Sequence, residues 1–206
     1  MRSLAPLLLL LLAAPLACAR SPKRAAAPVP ATSSSLDALM RGDLAEDHAI
    51  TWTAARRLTW RDFQGTPPED GSEGAMTSYT LYSAWKCRGA AFEFRVVAGF
   101  RPRQSWVKAV VLNDTTQRRT VLGHEQTHFD LSEVHARIMR RAFRGLQRPC
   151  SMSDGEFSGM VRRLIQAEKA EQRRYDAETN HGLRASQQAA WSAAVARRLR
   201  YESGGT

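Results

Sequence analysis

The amino-acid sequence predicts an α+β domain, in which an antiparallel sheet is followed by a helical half. Between Thr51 and Leu112 the chain has short runs rich in Thr, Val and aromatic residues, separated by turns that contain Gly and Pro. Such runs are typical of strands. After Asn113 the apolar residues recur at steps of three and four, as on the buried face of a helix. Strands that precede helices indicate an α+β fold.

The N-terminus predicts export. Arg2 precedes an apolar run from Leu4 to Leu16, which is short for a membrane span and typical of the core of a signal peptide. The small residues Ala17-Cys18-Ala19 then supply an Ala-x-Ala cleavage site. We therefore expect a periplasmic or secreted protein whose mature chain has no transmembrane span.

The expected domain boundaries follow from this cleavage site. We assign a signal peptide to residues 1–19, a flexible linker rich in Pro, Ala and Ser to residues 20–35, and one folded domain to residues 36–206. The sequence Leu16-Ala17-Cys18 also resembles the end of a bacterial lipoprotein signal. Lipid attachment at Cys18 is therefore the alternative to simple cleavage, and either route exports the chain.

The chain is strongly basic, with 30 Lys and Arg residues against 20 Asp and Glu residues and a formal net charge of +10. A basic surface suits anionic partners, among them an anionic cell-envelope surface. The sequence holds no nucleic-acid-binding motif and does not interleave basic with aromatic residues. We therefore expect no nucleic-acid partner.

Two cysteines remain once Cys18 is set aside. Cys87 and Cys150 are an even pair in a chain that we expect in an oxidising compartment, which favours a disulfide between them. Such a bridge would close a long loop and stabilise the fold by about 4 kcal/mol. Neither cysteine has the spacing of a zinc site, so we interpret the pair as structural.

The predicted elements of the first half are short. A helix is expected between Leu36 and Ile50. In the alternating run around Phe92, Phe94 and Val96 the apolar residues take every second place, as on a half-buried sheet. The strand-like runs, interrupted by a polar turn at 64–74, are 50–53, 58–60, 77–85, 91–97 and 105–112.

Three helices are expected in the second half. The first begins at a cap among residues 114–116 and ends near Gly145. The second begins after Ser153 or Asp154 and continues through the charged segment that follows. The third covers about residues 183–200. Each has apolar residues at helical spacing, so each is expected to bury one face.

The first of these helices carries a zinc-binding pattern. Residues 124–128 read His-Glu-Gln-Thr-His, and a helix puts His124 and His128 one turn apart on the same face. Two imidazoles at this spacing bind one zinc ion, while the Glu between them reaches the water that the ion activates. The pattern predicts Zn²⁺ as cofactor, His124 and His128 as ligands, and Glu125 as the catalytic residue.

A catalytic zinc needs a third protein ligand from elsewhere in the chain. His135 lies about 10 Å further along the helix axis than His128, so we exclude it from the site. His181 stands at a break in the helical pattern and is the first choice. Asp176 is the second, either as a ligand or as a carboxylate that orients a ligand imidazole. Glu178 is the third.

Two extended motifs carry a family resemblance. The sequence His-Glu-Gln-Thr-His-Phe-Asp at 124–130, together with Tyr-Asp-x-x-Thr-x-His-Gly at 175–182, resembles an uncharacterised bacterial family described as predicted secreted zinc-dependent proteases. The resemblance runs over about residues 51–191 and implies a zincin-like fold and a secreted or envelope location. Further matches are the segment 58–65 and the residues Gln188 and Trp191.

These observations together predict an exported zinc-dependent metallopeptidase that acts on a protein or peptide substrate. A zinc-activated water attacks the peptide bond with Glu125 as general base, and Tyr175 donates a hydrogen bond to the oxyanion. Asp130 lies on another side of the helix and is expected to pair with a nearby Arg or to cap another segment. The alternatives are a non-catalytic zinc-binding protein of the cell envelope and a zinc hydrolase that acts on a non-peptide envelope amide.

Overall fold

A computed structural model describes residues 35–201 of the protein. The predicted signal peptide, Cys18 and nearly all of the predicted linker lie outside these residues. Within residues 35–201, no helix is long and apolar enough to cross a membrane. The helices are α1 (Ser35–Glu46), α2 (Ala109–Asn113), α3 (Thr115–Arg144), α4 (Asp154–Thr179) and α5 (Ala185–Tyr201). The strands are β1 (Ile50–Thr51), β2 (Ala75–Met76), β3 (Tyr79–Arg88), β4 (Ala91–Phe100) and β5 (Trp106–Val107).

The main sheet is antiparallel and has the strand order β1-β4-β3. Strands β3 and β4 form a hairpin whose register runs from Tyr79 opposite Phe100 to Arg88 opposite Ala91. The tight turn between them uses Gly89 at φ +58°, which glycine adopts without steric cost. Strands β2 and β5 pair separately. This sheet followed by long helices confirms the α+β prediction, while the zincin-like identity stays a prediction.

Helix α3 is buried on two faces. On one face Phe129 and Phe143 belong to a core that includes Val96, Ala98 and Phe100 of the sheet. The other face contributes residues to a second core, formed by Leu131, Val134, Tyr175 and Val195 of α3, α4 and α5. Fully burying a side chain of this size contributes roughly 1.5–3 kcal/mol. The middle turns of α3 are therefore held rigidly between the sheet and the helices.

Local capping chemistry defines the helix ends as the sequence predicts. Asp114 caps α3 by accepting a hydrogen bond of 2.8 Å from the backbone N–H of Gln117. Ser153 and Glu156 form a reciprocal capping box at the start of α4. The chain then reverses direction after α4 through three consecutive residues with positive φ, which are Asn180, His181 and Gly182.

The predicted disulfide is confirmed. Cys87 and Cys150 are bonded, with their Cα atoms 5.7 Å apart and a sequence separation of 63. Cys87 lies near the end of β3, and Cys150 lies in the 3₁₀ turn (Pro149–Ser151) that joins α3 to α4. The bond therefore ties the sheet to the helical half.

One predicted strand is wrong, and another is confirmed only in part. Residues 58–60 are not a strand, because the backbone N–H of Leu58 donates to the side chain of Gln126 (2.7 Å) and a 3₁₀ turn follows at Trp60–Asp62. The run 105–112 is a strand only at β5 and continues as helix α2. A short apolar run has no period that separates strand from helix. Here Val111 is buried while the neighbouring Val110 is 61% exposed.

Candidate metal centre

Three side chains from two helices converge at the middle of α3. The Nε2 atoms of His124 and His128 lie 3.1 Å apart. The Oδ1 atom of Asp176, on α4, lies 3.1 Å from His124 Nε2 and 2.9 Å from His128 Nε2. These are the residues among 35–201 whose ligand atoms cluster closely enough to hold one metal ion. This cluster supports the prediction that the chain can hold a metal ion, whereas zinc as the particular metal stays a prediction.

The hydrogen bonds behind the two imidazoles fix how they face the site. His128 Nδ1 lies 2.7 Å from Gln172 Oε1, and His124 Nδ1 lies 3.0 Å from Gln188 Oε1. An amide oxygen only accepts, so each Nδ1 must carry the hydrogen. In its neutral form, each imidazole therefore directs the lone pair of its Nε2 atom toward the other and toward Asp176.

The three candidate ligand atoms fit a bound cation. When both imidazoles are neutral, His124 Nε2, His128 Nε2 and Asp176 Oδ1 are all acceptors within 3.1 Å of one another, and acceptors at that distance repel unless a proton or a metal ion lies between them. Two ligand atoms that are each 2.0–2.1 Å from a tetrahedral zinc ion are roughly 3.3 Å apart. The observed separations are close to this value, so the three residues fit a zinc-sized ion.

Glu125 lies beside these ligands and is buried, with 4% of its surface exposed. Its Oε2 atom has no hydrogen-bond partner among the described residues. A buried carboxylate oxygen is costly to leave unpaired. Such an atom is expected where a carboxylate has a function, here beside a cluster of metal-binding atoms.

Electrostatics couple the members of the site. Burial alone would raise the pKa of the Asp176 carboxyl, but the hydrogen bonds and charges of His124 and His128 hold it well below its usual range. Burial alone would lower the pKa of His128, but the hydrogen bond to Asp176 and the charges of Glu125 and Asp176 raise it above its ordinary value. The site therefore attracts positive charge, either as a proton or as a metal ion.

Tyr175 supports the site instead of facing a substrate. Its ring stacks on His124, with centroids 4.7 Å apart and an interplanar angle of 20°. Its hydroxyl donates to Gln188 Oε1 at 2.7 Å, and the residue has no exposed surface. The hydroxyl is enclosed behind His124, where it orients Gln188, and this position gives no support to the oxyanion role, which stays a prediction.

His181 lies at the edge of the site and does not complete the cluster. Its side chain is 60% exposed, and its Nδ1 atom is 3.8 Å from Asp176 Oδ1. The left-handed turn at Asn180 and His181 carries the imidazole outward, whereas Asp176 projects inward from the last turns of α4. The geometry favours Asp176 over His181 as the third ligand, and the ranking from sequence is corrected accordingly.

Gly182 is the residue of this turn that lies against the candidate metal ligand His124. It has φ +83°, and a Cβ atom built on it would lie 3.1–3.2 Å from the side chain of His124. Thr179 holds the turn, because its Oγ1 atom donates to Tyr175 O (2.7 Å) and accepts from Gly182 N–H (3.2 Å). The motif at 175–182 therefore encloses His124 from two sides and supplies Asp176.

The other candidate residues bind elsewhere. Glu178 accepts a hydrogen bond of 2.7 Å from Trp191 Nε1, which directs its carboxylate away from the cluster. His135 pairs with Glu171 at 2.7 Å, as expected for a residue outside the site. Asp130 pairs with Arg57 at 3.0 Å and accepts from Trp52 Nε1 at 2.9 Å, which confirms the predicted arginine partner and ties α3 to the segment after β1.

Sequence reasoning missed two supporting residues on α4. Glu168 and Gln172 precede Asp176 by eight and four residues, and residues four apart lie on one face of a helix. The spacing of Glu168, Gln172 and Asp176 at steps of four is the sequence signal that could have indicated a polar network on one face of this helix. Gln188 appeared only as part of the family resemblance, with no role assigned.

Comparison with known proteins adds a family without a described activity. Residues 60–182 match a family described as "Bacterial protein of unknown function (DUF922)". The match covers more than half of the 206 residues and includes His124, His128, Asp176 and Gly182. No curated protein and no solved structure matches the chain.

Proposed function

This chain belongs to the DUF922 family of bacterial proteins, and we propose that it is an exported zinc-dependent metallopeptidase. The observation that carries the proposal is the convergence of His124, His128 and Asp176 beside a buried glutamate whose Oε2 atom is unpaired. Two histidines, one carboxylate and a neighbouring glutamate are the residues that hydrolytic zinc sites use.

The zinc ion would be held by the Nε2 atoms of His124 and His128 and by Oδ1 of Asp176. When bound, zinc supplies Lewis-acid chemistry, polarising the scissile carbonyl and making water a better nucleophile at neutral pH. Gln172 and Gln188 keep both imidazoles in the orientation that binding requires. Two histidines and one carboxylate also suit iron(II), and the adjacent Glu125 favours zinc because it adds a base for hydrolysis.

Glu125 is the proton carrier of the proposed reaction. Its unpaired Oε2 atom accepts a proton from the attacking water and returns it to the leaving nitrogen as the peptide bond breaks. Substrate reaches the site from the side of Asp176, whose side chain is 29% exposed, whereas that of His124 is 5% exposed. The stacked ring of Tyr175 and the close approach of Gly182 shield His124 from water.

The compartment is part of the proposal. A disulfide joins Cys87 and Cys150, and disulfides persist mainly outside the cytosol. Together with the signal peptide expected at residues 1–19, this supports a periplasmic or secreted enzyme. The net charge of +10 favours binding near an anionic cell-envelope surface. The proposed substrate is a protein or a peptide.

The test compares wild type with Glu125→Gln, which preserves size and removes the base. Zinc content is measured by mass spectrometry, and hydrolysis is followed with casein and a peptide library. We expect wild type to bind zinc and cleave, and Glu125→Gln to bind zinc but cleave about 10²–10⁴-fold more slowly. Glu178→Gln, a matched change outside the cluster, should behave as wild type.

Two results would redirect the proposal. Zinc binding by wild type without hydrolysis of any peptide would favour the non-catalytic envelope protein. Hydrolysis of an envelope amide in place of peptides, still dependent on Glu125, would favour the non-peptide hydrolase. A wild type that binds no zinc contradicts all three functions.

A further inference from the structure

Behind the metal centre, Glu168 is a buried carboxylate that the proposed reaction does not use. It lies on α4 with 2% of its surface exposed, and its Oε1 atom accepts a hydrogen bond of 2.9 Å from Gln172 Nε2. The Tyr79 hydroxyl donates a second hydrogen bond to it, and burial together with this carboxylate raises the pKa of Tyr79 far above its usual range. Both donors are neutral, and neutral donors offset only part of the cost of burying a charge.

Glu168 and the backbone carbonyl of His128 together determine which way the Gln172 amide points, and Glu168 is the charged one of these two acceptors. Gln172 Nε2 donates to Glu168 Oε1 and also to the backbone carbonyl of His128 at 3.1 Å. A rotated amide would direct its oxygen at these two acceptors. Only the observed orientation leaves Gln172 Oε1 facing His128 Nδ1, at 2.7 Å. The imidazole of His128 must then carry its hydrogen on Nδ1.

The amide behind the other ligand is held differently. Gln188 Nε2 faces the hydroxyls of Ser192 at 3.0 Å and Thr127 at 3.4 Å. A hydroxyl can donate as well as accept, so these two partners do not determine the orientation of the amide. The hydrogen-bonded chain behind His128 is therefore the one that ends in a formal charge.

We propose that Glu168 is a positioning residue that acts on the metal ligand His128 through Gln172. Its carboxylate holds the Gln172 amide in one orientation, and the amide oxygen holds His128 with hydrogen on Nδ1 and its Nε2 lone pair directed at the ion. This inference rests on the proposed function, because it gives Glu168 a role in zinc binding.

Glu168→Gln tests the proposal, since it keeps the size of the side chain but removes the charge, so that the backbone carbonyl of His128 is the one remaining partner that can only accept from the Gln172 amide. Zinc affinity is measured by competition with a chelator. We expect Glu168→Gln to bind zinc roughly 10-fold more weakly, in the range seen when the partner of a ligand imidazole is lost. Glu156→Gln, an exposed change on the same helix, should leave zinc affinity unchanged.

A spectroscopic readout separates positioning from general destabilisation. In ¹⁵N-labelled, zinc-loaded protein, the hydrogen on His128 Nδ1 should give a slowly exchanging resonance in wild type. We expect exchange of this hydrogen to accelerate in Glu168→Gln, while the resonance of the His124 Nδ1 hydrogen is unchanged. Equal acceleration at both histidines would overturn the proposal.

A double-mutant cycle tests whether Glu168 acts through Gln172. We expect Gln172→Ala to weaken zinc binding to a similar extent, and Glu168→Gln to add no further loss in that background. An undiminished additional loss would mean that the charge acts directly on the ion, and the proposal would be wrong. Wild-type affinity in either folded single variant also overturns it without affecting the proposed function, whereas a wild type that binds no zinc overturns both.

Discussion

The phenol ring of Tyr175 lies face to face with the imidazole of His124, with ring centroids 4.7 Å apart. The same phenol donates its hydroxyl hydrogen to Gln188 Oε1, which also accepts from His124 Nδ1. One buried residue thus restrains both the plane of the imidazole and the amide behind it. The site is built as much by its supporting residues as by its ligands.

Tyr175→Phe separates this supporting role from an oxyanion role. The variant keeps the stacked ring and removes one hydrogen bond, so we expect it to lower stability by about 1 kcal/mol and to weaken zinc binding several-fold. Chelator competition and thermal unfolding measure these effects. If Tyr175 instead donated to an oxyanion, zinc affinity would be unchanged and kcat would fall about 10²–10³-fold.

Gly182→Ala should damage the metal centre from a position that touches no ion. A Cβ atom there would press on His124 and would also require φ +83° of an alanine. We expect a loss of about 1–2 kcal/mol in stability and weaker zinc binding. Gly89→Ala is the control, because Gly89 has φ +58° but open space around it. It should lose stability alone, and equal loss of zinc affinity in both variants would argue against the contact with His124.

The identity of the third ligand is tested by paired alanine substitutions. Asp176 Oδ1 lies within 3.1 Å of both Nε2 atoms, whereas His181 is largely exposed. Asp176→Ala should weaken zinc binding by more than about 100-fold, beyond the loss caused by removing a ligand's partner. His181→Ala should weaken it far less. Zinc titration measures both, and the reverse order of effects would restore His181 as the ligand.

Stability at acid pH should depend on Glu171. Its hydrogen bond to His135 is the largest influence, and with the Arg198 guanidinium it lowers the pKa of Glu171 from 4.5 to about 2. A carboxyl whose pKa is lowered by folding stabilises the folded state at pH values above its pKa in the unfolded chain. This stabilisation is lost as the pH falls through its pKa in the folded protein. After allowance for solvent screening of this partly exposed group, Glu171 should contribute about 1–2 kcal/mol at neutral pH, and this contribution disappears between pH 4.5 and 2.

Urea unfolding at several pH values measures this contribution. Glu171→Gln should be less stable than wild type at pH 7, and the two curves should converge as the pH falls to about 2. Curves that stay parallel from pH 7 to 2 would show that the ion cluster around Glu171 does not stabilise the fold.

Much of the fold could be predicted because its signals are local. The cap at Asp114, the capping box at Ser153 and the alternation in β4 each follow from residues within one or two turns. The segment after Leu58 could not, because its backbone hydrogen bonds go to Gln126, which is 68 residues away. Short strands and 3₁₀ turns of this kind depend on tertiary partners that a local pattern does not contain.

The candidate site shows the same division. His124, Glu125 and His128 follow from spacing on one helix, and the cysteine pair from the expected compartment. The choice between Asp176 and His181 depends on the turn after α4, whose positive φ at His181 turns the imidazole outward. Ligand preference favours histidine, but the backbone conformation decides which side chain faces inward.

The most direct test is a crystal structure of zinc-loaded protein, with diffraction measured on both sides of the zinc absorption edge. The account predicts one anomalous peak per chain, within bonding distance of His124 Nε2, His128 Nε2 and Asp176 Oδ1. A fully zinc-exposed crystal without a peak at this position, or with zinc bound through His181 in place of Asp176, would contradict it.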